Sequence, residues 1–379
     1  MTRRANGEGS ICQRTDGRWC AAIVADDPVT GKRKRTYFYG KTRTEVRKKL
    51  RGAQERAEVG APVRDASATL GSWLAEWRDT SLAASNRRPT TKVLYATLSR
   101  KHLEASELAD MPLDKIRPRH IEALVQSLRD KGLADSTVRQ VYTILRGALD
   151  IAVRDGLLAR NPAAALKRPA VERKEAKHLS ADEVAALLKA AEGSRYHDML
   201  ALIAATGLRR GEALALRWPD VDLEAGTLRV KGTLARVEGE LVVSEPKTKQ
   251  SRRTLPLSPA LVSLLDRHRR TQAEERLRAG NLWTDTGHVF TTETGTPIDP
   301  RNVLRAVTSA AEKAGIDGVG VHTLRHSAAT AWLEAGVHLK AVSELLGHHD
   351  IAITGDCYGH VSEAASRSAV DTLSDALGL

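Results

Sequence analysis

The sequence predicts a multidomain protein, mainly α with α+β. A small N-terminal β-sheet with a helix is followed by a bundle of about four helices and a mixed α+β C-terminal region. Three observations carry this reading. The 379-residue chain is too long for one ordinary core, and its 41% apolar residues suffice to fill two or three. Two stretches, "GAPVRDAS" and "RNPAAALKRPAVERKEAK", have the Pro-containing, charged composition of linkers. The hydrophobic period also changes along the chain, from β-type at the front to helical in the middle and mixed after about Lys177. The expected domains are residues 1–60, 67–165 and 177–379, with 166–176 as a linker.

At the front, "RWCAAIVAD" and "KRKRTYFYG" are β-rich runs on either side of the turn-forming "DPVTGK". Thr42 and Glu45 then offer a capping box for a basic helix reaching about Val59. Residues 1–60 hold fifteen Lys/Arg against seven Asp/Glu, which is +8 of the net +12. That excess suits a polyanion, because Lys and Arg release counterions from phosphates. Lys32, Arg33, Lys34 and Arg35 run up to Tyr37 and Tyr39, a pattern fit for a strand entering the major groove of double-stranded DNA. The bland alternative is a solvated basic strand.

Cys12, Cys20 and Cys357 are too few and too odd for a disulfide framework, and no CxxC occurs. A reducing cytosol is therefore expected. The first ten residues, "MTRRANGEGS", lack the apolar run of a signal peptide, and no stretch of 18 apolar residues spans a membrane.

The middle region reads as helical throughout. Pro89, Pro118 and Asp135 stand where helices start. Ile121, Leu124, Val125 and Leu128 fall at i, i+3, i+4 and i+7, and Val138, Tyr142, Leu145 and Leu149 repeat the stripe. Such stripes are core faces.

In the third region Ser180 and Glu183 make a capping box, and helix follows to about Trp218. Strands are expected within 220–257, at "GTLRVKG", "ELVVSEPK" and "RRTLPL", and helices at 258–279, 299–314, 322–335, 338–346 and 362–376.

Four motifs in this region bear on chemistry. In "TGLRRGEAL", Arg209 and Glu212 are three apart on a helix that Gly207 is expected to open; a surface ion pair reads equally well. In "EPKTKQSRRTLPL", Lys247 is expected at a hairpin tip, where a solvated turn is the alternative. In "HTLRH", His322, Arg325 and His326 share a helix face. A zinc reading fails the usual motif, since Thr323 stands where zinc hydrolases need Glu. In "GHHDIAITGDCYGHV", His348 precedes Tyr358 by ten residues.

Each motif alone is weak, but transesterification at a DNA phosphodiester uses them together. A tyrosine phenolate attacks phosphorus in line and stores the bond as a covalent ester. Two arginines offer planar forks that match phosphate geometry, and preorganised donors of that kind are worth about 3–4 kcal/mol each. A lysine ammonium can protonate the leaving 5′-oxygen, and a histidine can take the phenol proton. A second imidazole can hold the phosphate. No cofactor and no metal is called for.

The ordered set "TGLRRGE", "PKT", "HTLRH", "LGH" and "YGH" resembles the tyrosine recombinases, the phage integrase family, over most of 177–379. The resemblance implies a tyrosine-recombinase catalytic domain in which Arg209 and Arg325 clamp the scissile phosphate and Tyr358 becomes 3′-phosphotyrosyl. Lys247 is then the acid, His322 the acid/base, His348 a phosphate ligand, and Glu212 the group orienting His322 or Arg209. Cys357 is not part of the pattern and reads as a passive helix residue. The helical bundle is similar to a core-binding domain, and the front module to a three-stranded arm-binding domain. That module argues against the shorter Xer-type enzymes. Implied partners are core-type and arm-type attachment sites on duplex DNA, with a homotetramer on DNA and a monomer or weak oligomer off it. An excisionase and a DNA-bending host factor are implied by the resemblance alone, as is the docking of "VDTLSDALGL" on a neighbouring protomer; packing on its own domain stays open. The rival classes are a non-catalytic DNA-binding regulator and a type IB topoisomerase.

Overall fold

A computed structural model of the chain describes residues 9–26, 33–58, 68–172, 177–245, 252–348, 350–358, 371, 374 and 375. The chain divides into two units, Met1–Arg173 and Lys174–Leu379.

In the first unit, β1 (Ser10–Gln13), β2 (Trp19–Asp26) and β3 (Arg33–Gly40) form an antiparallel sheet in that order. Cys12 faces Cys20, and Ala22 faces Tyr37. The two-residue alternation puts Ala21, Ile23 and Phe38 on one face, packed on Val46, Leu50 and Ala53 of α1 (Arg43–Glu58). Thr42 Oγ1 accepts from Glu45 N at 3.2 Å, but the Glu45 carboxylate accepts from Lys41 N at 3.0 Å, one residue outside a closed capping box.

The bundle holds α2 (Leu70–Trp77), α3 (Pro89–Leu98), α4 (Pro118–Asp130) and α5 (Asp135–Arg154), and the last three start where the prolines and Asp135 predict. Ile121, Leu124 and Leu128, and Val138, Tyr142, Leu145 and Leu149, are buried in one core, with Val125 packed at its edge. Trp73 Nε1 donates to Ala148 O at 2.9 Å, and Tyr142 Oη donates to Ala163 O at 2.7 Å, so both buried polar tips are satisfied. Two π-helical turns, Arg78–Leu82 and Ser99–Leu103, interrupt the helices. They are bridged by Arg78 Nε and Nη2 on the Glu104 carboxylate at 2.9 and 3.0 Å.

The second unit is a helical body carrying two small sheets. Its α6 (Ala181–Ala190) opens on the Ser180/Glu183 box, with reciprocal bonds of 3.2 and 2.8 Å. After it come α7 (His197–Thr206) and α8 (Arg210–Ala215). Gly207 closes α7 in the left-handed region, φ 63°, instead of opening the next helix. Among the described residues the strands here number five, against the three expected. β4 (Val221–Asp222), β5 (Thr227–Val230) and β8 (Arg253–Pro256) form one sheet, β6 (Thr233–Val237) and β7 (Glu240–Ser244) the other. Then follow α9 (Pro259–Ala279), α10 (Pro300–Lys313), α11 (Val321–Glu334), α12 (Leu339–Leu346) and α13 (Ile351–Tyr358).

Met199, Leu202 and Ile203 of α7, Leu324 of α11 and Leu228 of β5 are all fully or nearly fully buried in one core. Ala329, Val342 and Leu346 make a smaller one with Trp332, joining α11 to α12. These two cores fix the ends of α7, α11 and α12 relative to one another, and the functional side chains sit at those ends. The helix expected over 362–376 lies for the most part outside the described residues. Among the described residues no helix is long and apolar enough to cross a membrane.

Candidate active site

The site is built around the end of α12. Gly347, at φ +65°, lets the helix close in a Schellman turn: Gly347 N donates to Glu344 O and His348 N to Ser343 O, both at 3.0 Å. The next three carbonyls, Leu345, Leu346 and Gly347, stay at the negative end of the helix dipole. Three arginines from distant segments converge on them. Arg253 Nε donates to Leu345 O at 2.6 Å, Arg325 Nη2 to Leu346 O at 2.8 Å, and Arg209 Nη2 more loosely to Gly347 O at 3.4 Å.

Arg209 precedes the first turn of α8, and Glu212 sits in that turn. The Glu212 carboxylate accepts from Arg209 N at 3.0 Å and from Arg209 Nη1 at 2.8 Å. It also accepts from Arg253 Nη2 at 2.9 Å. The Glu212 side chain is 6% exposed, Arg253 7%, and Arg209 37%. Burial by itself raises the Glu212 carboxyl pKa, but the bonds and charge of Arg253 and Arg209 outweigh it and hold the group below its ordinary value. Arg209, Arg253 and Arg325 against the single carboxylate of Glu212 leave these four groups with an excess of positive charge.

Arg325, from α11, is 1% exposed. Its Nη1 donates to Gly207 O at 2.6 Å, so the left-handed glycine that ends α7 also serves this arginine. Its Nη2 lies 2.9 Å from His348 Nε2, and His348 Nδ1 lies 2.8 Å from Thr354 Oγ1. Arginine can only donate, so His348 Nε2 accepts and the imidazole proton is assigned to Nδ1, which donates to Thr354. Desolvation, then the charges of Arg325, Arg209 and Arg253, push His348 down to about 4. His322 is likewise held down to about 4, by the protein packed around it and by the charges of His326, Arg325, Arg209 and Arg210. His322 is itself an exposed residue, so the surrounding cations are the firmer cause. Its ring meets His326 edge-on, centroids 4.6 Å apart.

Of the sequence-predicted residues, the structure thus brings together Arg209, Glu212, Arg325 and His348, with His322 close enough to feel their charges. Tyr358 is the last residue of α13, which packs on α11 and α12; its side chain lies outside what is described. Lys247 lies outside the described residues. Among the described residues, the flanking strand β7 pairs with β6 and β8 pairs with β5. Sequence reasoning missed Arg253 and Thr354. Among the described residues no three His, Cys, Asp or Glu are grouped to hold a metal ion.

On the front sheet, alternation puts Arg33, Arg35, Tyr37 and Tyr39 on the face away from α1, all exposed. Arg35 lies over the Tyr37 ring at 5.4 Å and Arg14 over Tyr39 at 5.5 Å. Lys34 has the opposite parity, shared with buried Thr36, so the predicted set is split between faces. Lys32 lies outside the described residues.

Residues 177–365 match the phage integrase family. A tyrosine recombinase XerC-like protein of Caldanaerobacter subterraneus subsp. tengcongensis is 34% identical over 364 residues, covering 91% of this chain and 93% of its own. The chain belongs to the phage integrase family of tyrosine recombinases. This tyrosine recombinase is a site-specific recombinase by membership. In fold it is similar to the Tn1549 transposon integrase in complex with a circular intermediate DNA, with a TM-score of 0.66 at 21% identity, over 81% of this chain and 100% of that one. It is also similar to a lambda integrase dimer bound to a COC′ core site, with a TM-score of 0.61 at 22% identity, over 96% and 98% of the two chains.

Proposed function

We propose that this recombinase cuts and rejoins duplex DNA through a 3′-phosphotyrosyl link at Tyr358, integrating and excising a phage or other mobile element. The observation that carries this reading is the convergence of Arg209, Arg325 and His348 on the end of α12, with Tyr358 at the close of the following helix.

In the proposed step the Tyr358 oxygen bonds to phosphorus as the bond to the 5′-oxygen breaks. The phenol proton passes to His322, which is neutral at pH 7 because its pKa is about 4. Lys247 donates a proton to the departing 5′-oxygen. Arg209 and Arg325 meet the charge on the non-bridging oxygens. Glu212 keeps Arg209 aimed by taking one side of its fork. His348 offers its lone pair to Arg325 in the DNA-free arrangement; to donate to a phosphate oxygen it must move its proton to Nε2, and Thr354 can turn its hydroxyl to donate to Nδ1. Arg325 is 1% exposed, so DNA has to shift the side chains that cover it before it meets a phosphate.

The roles proposed for the other segments follow the resemblance. Residues 67–165 bind the core site, and 1–60 bind arm-type sites through the open sheet face of Arg33, Arg35, Tyr37 and Tyr39. Two modules on one chain raise the effective concentration at a bipartite site. A homotetramer forms on DNA, an excisionase and a bending factor set direction, and the protein works in the cytoplasm at the nucleoid. A nicked duplex carrying the attachment site, recovered by junction sequencing from cells with this gene, tests the reading. A denaturant-stable adduct that forms in EDTA and is lost in Tyr358→Phe is expected. An adduct that persists in Tyr358→Phe overturns it.

A further inference from the structure

Arg253 was given no role by the motifs, yet its side chain is buried and links two parts of the site. It opens β8, and its parity is that of buried Leu255. Its neighbour Arg252 has the opposite parity and forms an exposed pair with Glu245. The Arg253 fork makes three kinds of contact at once. Nη2 and Nη1 reach the two oxygens of Glu212 at 2.9 and 3.3 Å. Nε reaches Leu345 O at 2.6 Å. The flat side lies against Gly347, where an added Cβ would come 2.8 Å from Nη1. Glu212 in turn holds Arg209 at 2.8 Å, and Gly347 leads directly into His348.

Resting on the tyrosine recombinase chemistry proposed for this site, we infer that Arg253 is a positioning residue for strand cleavage. It clamps the carboxylate that aims Arg209 to the helix end that carries His348. Its Nε, Nη1 and Nη2 all engage the two groups that the clamp joins, Glu212 and the end of α12. Lysine in its place keeps the charge but cannot span a carboxylate and a carbonyl together, because it lacks the planar fork. The clamp therefore depends on arginine geometry.

The test uses the full chain and the nicked attachment-site duplex, in single turnover at saturating DNA, with affinity measured separately by gel shift. Arg253→Lys is expected to slow adduct formation about tenfold and Arg253→Gln about a hundredfold, the scale of loss that a displacement of about 1 Å at reacting groups brings. The Kd should stay within about twofold. Coupling predicts that Arg253→Gln combined with Glu212→Gln is no more than about threefold slower than Glu212→Gln alone. Arg253→Lys keeps the assay available should the glutamine variant fail to fold. A wild-type rate constant in Arg253→Lys overturns the inference, and so do losses that multiply in the double variant. A loss seen only in the fraction of active protein, with the rate constant intact, marks a purely structural role and overturns it as well. If the wild-type chain forms no adduct, the failure belongs to the tyrosine chemistry and not to Arg253.

Discussion

Replacing Glu212 by Gln keeps the shape of the side chain and removes the one negative charge set between Arg209 and Arg253. The Arg253 pair is buried on both sides, at 7% and 6% exposure, and breaking such a pair from one side costs about 3–5 kcal/mol. The Arg209 pair is more than a third exposed on its cationic side, so its own share is below about 1 kcal/mol. Glutamine still accepts one hydrogen bond, which places the net loss near 3 kcal/mol. For a unit of this size each kcal/mol shifts the midpoint about 2–4 °C, so the transition of the C-terminal unit falls by about 10 °C. Calorimetry of the full chain reads it. The pH dependence adds a second check. Because the folded carboxyl lies below the 4.5 of the unfolded chain, its contribution is whole above that pH and is lost as pH falls through the folded value. The gap between wild type and Glu212→Gln should therefore be full at pH 7 and narrow below pH 4.5. Equal midpoints at pH 7, or a gap that does not narrow in acid, would refute the reasoning.

The two site histidines are neutral down to about pH 4, so kcat/KM for cleavage should stay flat on the acid side until that pH is approached; a break near 6.5 in the pH–rate profile would contradict it. Gly207→Ala puts a Cβ at φ +63° and 2.8 Å from Leu346 Cδ2, and should destabilise the chain by about 1–3 kcal/mol in urea titration. Arg33→Ala with Arg35→Ala should lower the salt slope for arm-site binding by about 2 and leave core-site cleavage unchanged, as read by gel shift over a salt series.

Local signals made much of this legible. Proline at the first helical position and the Ser180/Glu183 box act within one turn, so α3, α4 and α6 start where expected. The stripes in α4 and α5 report a core that lies on one face. What escaped depended on partners far away in sequence. The π-helical turns at Arg78–Leu82 and Ser99–Leu103 are bridged by an ion pair 26 residues long in sequence. Gly207 closes α7 in the left-handed region, and its carbonyl accepts from Arg325, 118 residues later. Glu238 and Gly239, at φ 50° and 97°, did carry a local hairpin signal between two alternating runs, and reading it would have found β6. For Arg253 only strand parity with Leu255 separated it from Arg252. At the site, Arg209, Glu212, Arg325 and His348 were legible from motif order, whereas Thr354 looked like any helix residue until His348 Nδ1 met it.

Peptide mapping of the trapped protein–DNA adduct addresses the core of this account. After nuclease trimming, mass spectrometry should find the nucleotide remnant on Tyr358 alone, joined through a 3′-phosphate. A remnant on another side chain, or a 5′-phosphate linkage, would contradict it.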